Sequence, residues 1–364
     1  MGRHGATNGG QDQGVTVTSL RPTSTDSSVQ VVTLESVARH ASVSRQTISN
    51  ALNAPHRLAP DTLARAMHAI DTLGYRPNQA ARSLRTRSSQ LLGFRIEPAR
   101  DGINGAVLDR FLHALCEAAG GHDYNVLLFA ASDDATEIDG YDDLLRRRAV
   151  DGFVLSSTHT GDERTAWLTE RGLPFVTFGR PWGTDKPGHS WVDVDGAAGT
   201  EAAVNHLVER GHRRIGFIGW PAGSGVGDDR HAGWLRAVNG HGLPQRGLSH
   251  LGPDGEATGR ELATRMLALG HPATAFVCAS DSLALGALHA VADRGRRATG
   301  KVAVVGFDDT PVASVLTPSL TSVRQPIEAA AASLVRLLAD QLSGARSAPV
   351  GELIVPTLVV RDST

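Results

Sequence analysis

The sequence predicts an α/β protein in two unequal parts, a small all-helical head and a two-lobed core of mostly parallel sheets. Three observations carry that expectation. Apolar residues between 33 and 74 recur at helical spacing, apolar β-type runs alternate with helical stretches from residue 91 onward, and positive charge gathers before residue 90. At 364 residues the chain exceeds what one hydrophobic core usually supports, so two or more domains are expected.

Residues 31–90 hold eight arginines against Glu35, Asp61 and Asp71, a net charge of +5 within a chain of net charge −2. A basic head on an acidic body suits a polyanion-binding module carried by something that does not itself bind polyanions; a merely soluble basic helical domain would look the same on charge alone. Residues 1–30 are rich in Gly, Ser, Thr and Gln with few large apolar groups, and they read as a disordered tail. Neither an apolar signal stretch nor a run long enough to span a membrane is visible, so a cytoplasmic, nucleoid-associated protein is expected. The two cysteines, Cys116 and Cys278, sit in apolar runs and read as buried free thiols.

Within the head domain, 31–77, Thr33 can cap a first helix over Glu35–Arg39. Ala41-Ser42-Val43 makes a turn, and Ser44 to Leu52 forms a second helix with Ile48, Ala51 and Leu52 on one face. Pro60-Asp61-Thr62 starts a third helix that Gly74 stops. A helix-turn-helix lays one helix across the DNA backbone and inserts the start of the next into the major groove. Here that start carries Arg45 and Gln46, side chains suited to bidentate contact with guanine and adenine. Ser44, Thr47 and Asn50 can reach phosphates or base edges. An ordinary helical hairpin with a solvated polar face is the bland alternative.

The stretch VTLESVARHASVSRQTISNALN, then LGYRPNQAARSLRT, then LLGF closely resembles the lactose/galactose repressor (LacI/GalR) family, and the likeness runs from about residue 31 to the end. It implies a sequence-specific DNA-binding regulator, a repressor, in which Arg45 and Gln46 read base pairs and Asn50 contributes. Thr33, Ser44, Asn53 and Thr62 match positions that contact the DNA backbone. Residues 78–90, from Asn78, resemble the hinge, which becomes helical in the minor groove, with Leu84 matching the leucine wedged into the central base step. An apolar wedge offsets lost stacking by opening a bend that gains contacts. A flexible linker with an incidental leucine is the other reading of that segment.

The remaining chain, 91–364, shows β-type runs LLGFRI, NVLLFA, GFVLSS, PFVTFG, RRIGFIG, TAFVCA, VAVVGF and ELIVP between helical stretches. The resemblance implies a periplasmic-binding-protein-like core with a small-molecule effector in the cleft between lobes. Lobe 1 is expected over about 91–193 and 327–343, and lobe 2 over about 194–325 and 351–362. Arg230, Asp308 and Gln325 match the family's cleft contacts, and Ser156, Arg180 and Ser280 map to cleft-edge positions. Hydroxyl-rich ligands need charged, planar, bidentate groups on rigid strand ends, which fits a sugar or short oligosaccharide acting as inducer. Arg230 and Asp308 could instead be a structural ion pair, and Asp281 reads as a helix cap. Ser280 departs from the asparagine of many sugar-responsive members. The stacking aromatic that several members place near Asp254 is absent, since this sequence has GPDGEA there, and Trp182, Trp191 or Trp220 could supply that surface or be plain packing.

The rival effector class is a purine or phosphosugar corepressor, since Arg180 and Arg230 would fit an anion. An enzyme is a distant alternative: GFIGWPAGSGVGDD has glycines after a strand, but no GxGxxG, Walker, GxSxG or HExxH motif occurs, and no cofactor or metal is implied. No leucine heptad follows ELIVPTLVVRDST, so a homodimer on a palindromic operator is the simplest state.

Overall fold

The structure is a computed structural model that describes residues 2, 32–76, 88–96, 105–184, 188–294, 302–345 and 348–364. Residues up to Arg82 and residues from Ser83 onward form two separate units, taken here in turn.

In the head, α1 (Leu34–His40) begins at Thr33, whose hydroxyl accepts the Ser36 N–H while the Ser36 hydroxyl takes the Thr33 N–H. Two orphan donors are satisfied reciprocally, so the helix start is fixed to one residue. α2 (Arg45–Asn53) is capped by Ser44, which accepts the Thr47 N–H at 3.0 Å. A 3-10 turn at Pro55–Arg57 leads to α3 (Pro60–Leu73), which starts on proline and ends at Gly74 with φ +60°. Val37, Ala38, Ile48, Ala51, Ala66 and Ile70 bury together, with Val43 from the turn packed against them. That small core is what orients the outer face of α2.

In the second unit, β1 (Leu91–Ile96), β2 (Asn125–Ala130), β3 (Gly152–Leu155), β4 (Phe175–Phe178) and β5 (Ser190–Val194) build the first sheet. Between them run α4 (Gly105–Gly120), α5 (Asp134–Arg146) and α6 (Glu163–Glu170). The chain then enters the second lobe through α7 (Gly196–Glu209). There β6 (Ile215–Gly219), α8 (Val226–Gly240), β7 (Ser249–Leu251), α9 (Glu256–Leu267), β8 (Ala275–Cys278), α10 (Asp281–Arg294), β9 (Ala303–Phe307), α11 (Pro311–Val315) and β10 (Thr321–Arg324) follow. It returns to the first lobe as α12 (Ile327–Leu342) and β11 (Gly351–Ile354), and ends in the second as β12 (Thr357–Val359). The sheet orders are β11-β5-β4-β3-β1-β2 and β12-β10-β9-β8-β6-β7, parallel throughout except for β12 against β10.

One expected boundary is corrected. Residues 351–354, placed by sequence in lobe 2, pair in parallel with β5 in lobe 1, Glu352 opposite Val192. The reason is local: a Cβ at Gly351 would meet the Trp191 indole at 2.3 Å, so only glycine lets the strand lie beside that ring. Only the part from Thr357 onward belongs to the second sheet. The cysteine reading also changes in part, since both thiols are free and Cys278 is buried, but Cys116 is exposed on α4. Among the described residues, no helix is long and apolar enough to cross a membrane.

Close helix packing in the second lobe depends on small residues. At Gly286 in α10 a Cβ would lie 2.0 Å from the Glu256 carbonyl oxygen, and at Gly259 in α9 one would lie 2.1 Å from that of Leu283. Both obstacles are backbone, which cannot swing aside. Gly286→Ala is therefore expected to destabilise the core by about 1–3 kcal/mol despite its better helix propensity. Urea denaturation checks this; an unchanged or raised midpoint would contradict the packing account.

Candidate DNA-reading helix and effector cleft

The head presents its polar residues where the reading of α2 requires. Arg45 and Gln46 are exposed at the helix start, with Ser44 and Asn53 exposed and Thr47 and Asn50 half-buried beside them. The Gln46 amide donates to Asn50 Oδ1 at 3.0 Å, which holds its other polar edge outward. Ser44 and Thr47 hydroxyls lie 2.8 Å apart, and Asn53 donates to the Ser49 carbonyl at 2.8 Å. Thr33 is exposed in its capping box, and Thr62 is half-buried in the first turn of α3. Asn78 and Leu84 lie outside the described residues.

Parallel sheets present ligand contacts at the carboxyl ends of their strands. Four of the six effector candidates converge there in the second lobe. Asp308 follows β9 and is held at φ +106°, its N–H given to the Val323 carbonyl at 2.8 Å. Gln325, after β10, donates from its amide to Asp308 Oδ1 at 2.6 Å. Arg230, on α8, places Nη2 3.6 Å from the same oxygen and donates from Nη1 to the Ala279 carbonyl. Its guanidinium lies 3.6 Å from the Phe307 ring centroid and 5.0 Å from that of Trp220. Ser280, after β8, donates to Asp254, which also accepts the Trp220 indole N–H at 2.9 Å.

As an ion pair, Arg230 and Asp308 are incompletely matched. The Arg230–Asp308 separation is too long for a good hydrogen bond, and the buried Arg230 Nε has no partner among the described residues. Burial holds the Arg230 pKa below its ordinary value. Burial likewise pushes Asp308 up to about 7, against the pull of Arg230 and the Gln325 hydrogen bond. Desolvation thus outweighs mutual attraction for both partners, so the pair costs stability as it stands. Unspent donors and acceptors at a cleft floor are what a polyhydroxyl ligand would use.

The other two candidates sit in lobe 1. Arg180, after β4, donates from Nε to Asp193 Oδ2 at 2.6 Å and reaches Asp229 Oδ2 of α8 at 3.3 Å. Ser156, after β3, is not brought to the group around Arg230; its carbonyl accepts from the fully buried Arg164 at 3.2 Å. Arg164 also pairs with Glu137 at 2.8 Å and Asp162 at 2.6 Å, and Arg95 meets Glu137 at 3.0 Å. Asp134, His159 and Asp162 bring ligand atoms within 4.8 Å, but Arg164 already balances both carboxylates, which disfavours a cation there.

Sequence reasoning missed Asp193 and Asp229. Each is an acid beside a strand end or helix start, a pattern that usually means a solvated carboxylate. Asp281 also differs from its expected role. Ser280, not Asp281, accepts a helical N–H, from Leu283 at 3.2 Å. Asp281 instead accepts from Thr310 N at 2.7 Å and Ser322 Oγ at 2.6 Å, tying the loop after β9 to strand β10, which leads to Gln325. Trp191 packs against Gly351, away from these groups, whereas Trp220 lies among them.

A family profile described as bacterial regulatory proteins, lacI family, matches residues 33–78, and one described as a periplasmic binding protein-like domain matches 204–364. The HTH-type transcriptional regulator CelR of Thermobifida fusca is 34% identical over 342 residues, covering 91% of this chain and 98% of that protein. The chain belongs to the LacI family of bacterial regulatory proteins. It is a DNA-binding transcriptional regulator. Among solved LacI-family structures, a CelR–cellobiose complex aligns with a TM-score of 0.69 at 31% identity, over 92% of this chain and all of that one. The lac repressor dimer bound to operator and the anti-inducer ONPF aligns with a TM-score of 0.76 at 25% identity, over 91% and 98%. The HTH-type transcriptional repressor PurR of Yersinia pestis bv. Antiqua (strain Antiqua) is 29% identical over 336 residues, 92% and 97% of the two chains.

Proposed function

We propose that this LacI-family regulator is a homodimeric repressor that reads a palindromic operator and releases it when a neutral sugar enters the cleft. In this reading it works at the nucleoid. Arg45 and Gln46 of α2 read bases, and Thr33, Ser44, Thr47, Asn50, Asn53 and Thr62 position the head on phosphates. Asn78 and Leu84 belong to the hinge in this proposal. Arg230, Asp308 and Gln325 hold ligand hydroxyls, with Ser280 and Asp254 beside them and Trp220 offering a ring to stack on.

The observation that carries the sugar reading is the charge balance of the cleft. Asp193, Asp229, Asp254 and Asp308 stand against Arg180 and Arg230, and Arg180 is already engaged by two of those carboxylates. A phosphosugar would add negative charge to that excess. A neutral polyol would instead use Arg230 Nε and the Asp308 carboxylate without burying a new charge. Cellobiose, the ligand of the CelR complex, is the first probe.

Thermal denaturation with cellobiose, other mono- and disaccharides, phosphosugars and purines tests this. Cellobiose or another neutral sugar at 100 times its Kd is expected to add about 2.7 kcal/mol of stability and to release operator DNA in a mobility-shift assay. Stabilisation by a purine or phosphosugar alone, with tighter operator binding, would replace the inducer reading by a corepressor one.

A further inference from the structure

Between the two lobes, beside the floor formed by Arg230 and Asp308, lies a second set of contacts, which the sugar reading counts in its charge balance but to which it gives no contact with the ligand. We propose that Arg180, Asp229 and Trp182 form a latch across the lobes that sets how readily the cleft closes on its effector. The proposal rests on the cleft being the effector site. It makes Arg180 a positioning residue and not a contact to the sugar.

The geometry of Arg180 is asymmetric. On its own lobe, Nε donates to Asp193 at 2.6 Å. Toward the other lobe, Nη1 and Nη2 reach the two Asp229 oxygens at 3.4 and 3.3 Å. Nη2 also points at the Val194 carbonyl at 3.4 Å, where the chain leaves β5 for α7. Asp229 is itself anchored in lobe 2, accepting the Ala197 N–H at 3.0 Å. When the lobes part, the short bond keeps Arg180 with lobe 1, and the long contacts to Asp229 are the ones that break.

Trp182 crosses the same gap. Its ring lies 4.8 Å from the Arg180 guanidinium and rests on Gly225, where a Cβ would meet three indole atoms at 2.8 Å. Gly225 also has φ +64°, so the glycine is required twice, by the backbone and by the ring. Part of the glycine-rich stretch after β6, which superficially suggests a nucleotide loop, thus has a packing purpose. The Trp182 Nε1 is buried with no hydrogen-bond partner among the described residues, so the indole is held by packing and stacking, not by a polar tie. Ion pair and ring contact break together, which makes them one device.

A partly exposed pair of this kind is weak, so its effect is a shift of population and not a lock. Loss of the latch raises the sugar concentration needed for closure, because apparent affinity falls with the fraction of closed protein. Neutralising Asp229 as Asp229→Asn keeps an acceptor for Ala197 while removing the charge, so the fold is preserved. Trp182→Ala removes the ring independently.

The test uses the full chain as it assembles, in a Cys116→Ser background with spin labels at Arg146→Cys on α5 and Arg265→Cys on α9, both exposed. Labelled chain is diluted with unlabelled chain, and inter-lobe separations are read without sugar. Arg180→Ala, Asp229→Asn and Trp182→Ala are each expected to move the distribution to longer separations, and Asp229→Glu to restore much of the parent's. The cellobiose midpoint for operator release is expected to rise three- to tenfold in each, and no further in Arg180→Ala/Asp229→Asn. Unchanged separations in all three single variants would overturn the latch. So would multiplying losses in the double variant, which would make Arg180 an independent contact to the sugar. Shifted separations with no response to cellobiose or any other sugar would leave the latch standing and remove the sugar reading instead.

Discussion

Arg45→Ala is expected to cost about 1–3 kcal/mol of operator affinity per half-site. On a two-fold symmetric site both half-sites lose, so binding falls by at least about thirtyfold. The loss should be concentrated at one base position, where the variant accepts all four bases. The physical reason is placement: Arg45 is exposed at the first residue of α2, and the start of that helix is fixed by Ser44. Truncation leaves the small head core untouched, so the head's thermal stability should stay within about 0.5 kcal/mol of the parent. Footprinting of randomised half-sites checks this, and an unchanged base preference would remove α2 from the role of reader.

The second large effect concerns Asp308→Asn. Asn can still accept from Gln325 and occupies the same volume, but it cannot carry the buried charge. Sugar affinity is expected to fall by at least about tenfold, as hydrogen bonds to charged groups are worth about 1.5–3 kcal/mol. Stability should respond in the opposite sense, and with pH. In the folded protein Asp308 titrates near 7, pushed up by burial from an ordinary 3.8. Between those values the folded chain holds a proton that the unfolded chain has lost, so this group's contribution to stability falls as pH rises and levels off above 7. The asparagine variant lacks that slope. It should therefore gain on the parent from pH 4 to pH 7, at up to about 1.4 kcal/mol per pH unit. Urea denaturation at pH 5, 6, 7 and 8 measures the gap. A gap independent of pH would mean that Asp308 is ionised throughout and that the cleft floor does not store the cost described here.

Much of this was legible in the sequence because it is local. The caps at Thr33 and Ser44, the proline start of α3 and its stop at Gly74 are short-range hydrogen-bond and backbone effects, and the structure places them where the pattern does. Strands buried on both faces, such as β6 and β9, announce themselves as continuous apolar runs. β10 did not, because its residues Thr321-Ser322-Val323-Arg324 spend their polar groups on partners far away in sequence. The same limit applies to the cleft. The resemblance put Arg230, Asp308 and Gln325 at strand ends; the structure brings the three together, with Asp308 and Gln325 after strands but Arg230 on helix α8. Asp229 could not be found this way, since its meaning comes from Arg180, forty-nine residues earlier and on the other lobe. Helices α5 and α6 escaped the pattern because their apolar faces are short and their buried surfaces include Glu137 and Arg164.

The return of the chain to lobe 1 has a consequence for synthesis. The residues of α12 that fill that lobe's core, Leu334, Leu337 and Leu338 among them, are made only after the whole of lobe 2 up to β10. β11, which extends the first sheet, comes later still. At about 5–20 residues per second, roughly 150 residues of intervening chain delay the completion of lobe 1 by about 8–30 seconds after β5 has left the ribosome. During that interval Val154 and Val192 share a core with α4 residues such as Phe111 and Leu115 but lack α12, which completes it. The nascent chain therefore offers an unfinished apolar face to chaperones while lobe 2 up to β10 is being made, and neither lobe is complete until the last residues, β11 for the first and β12 for the second, are in place.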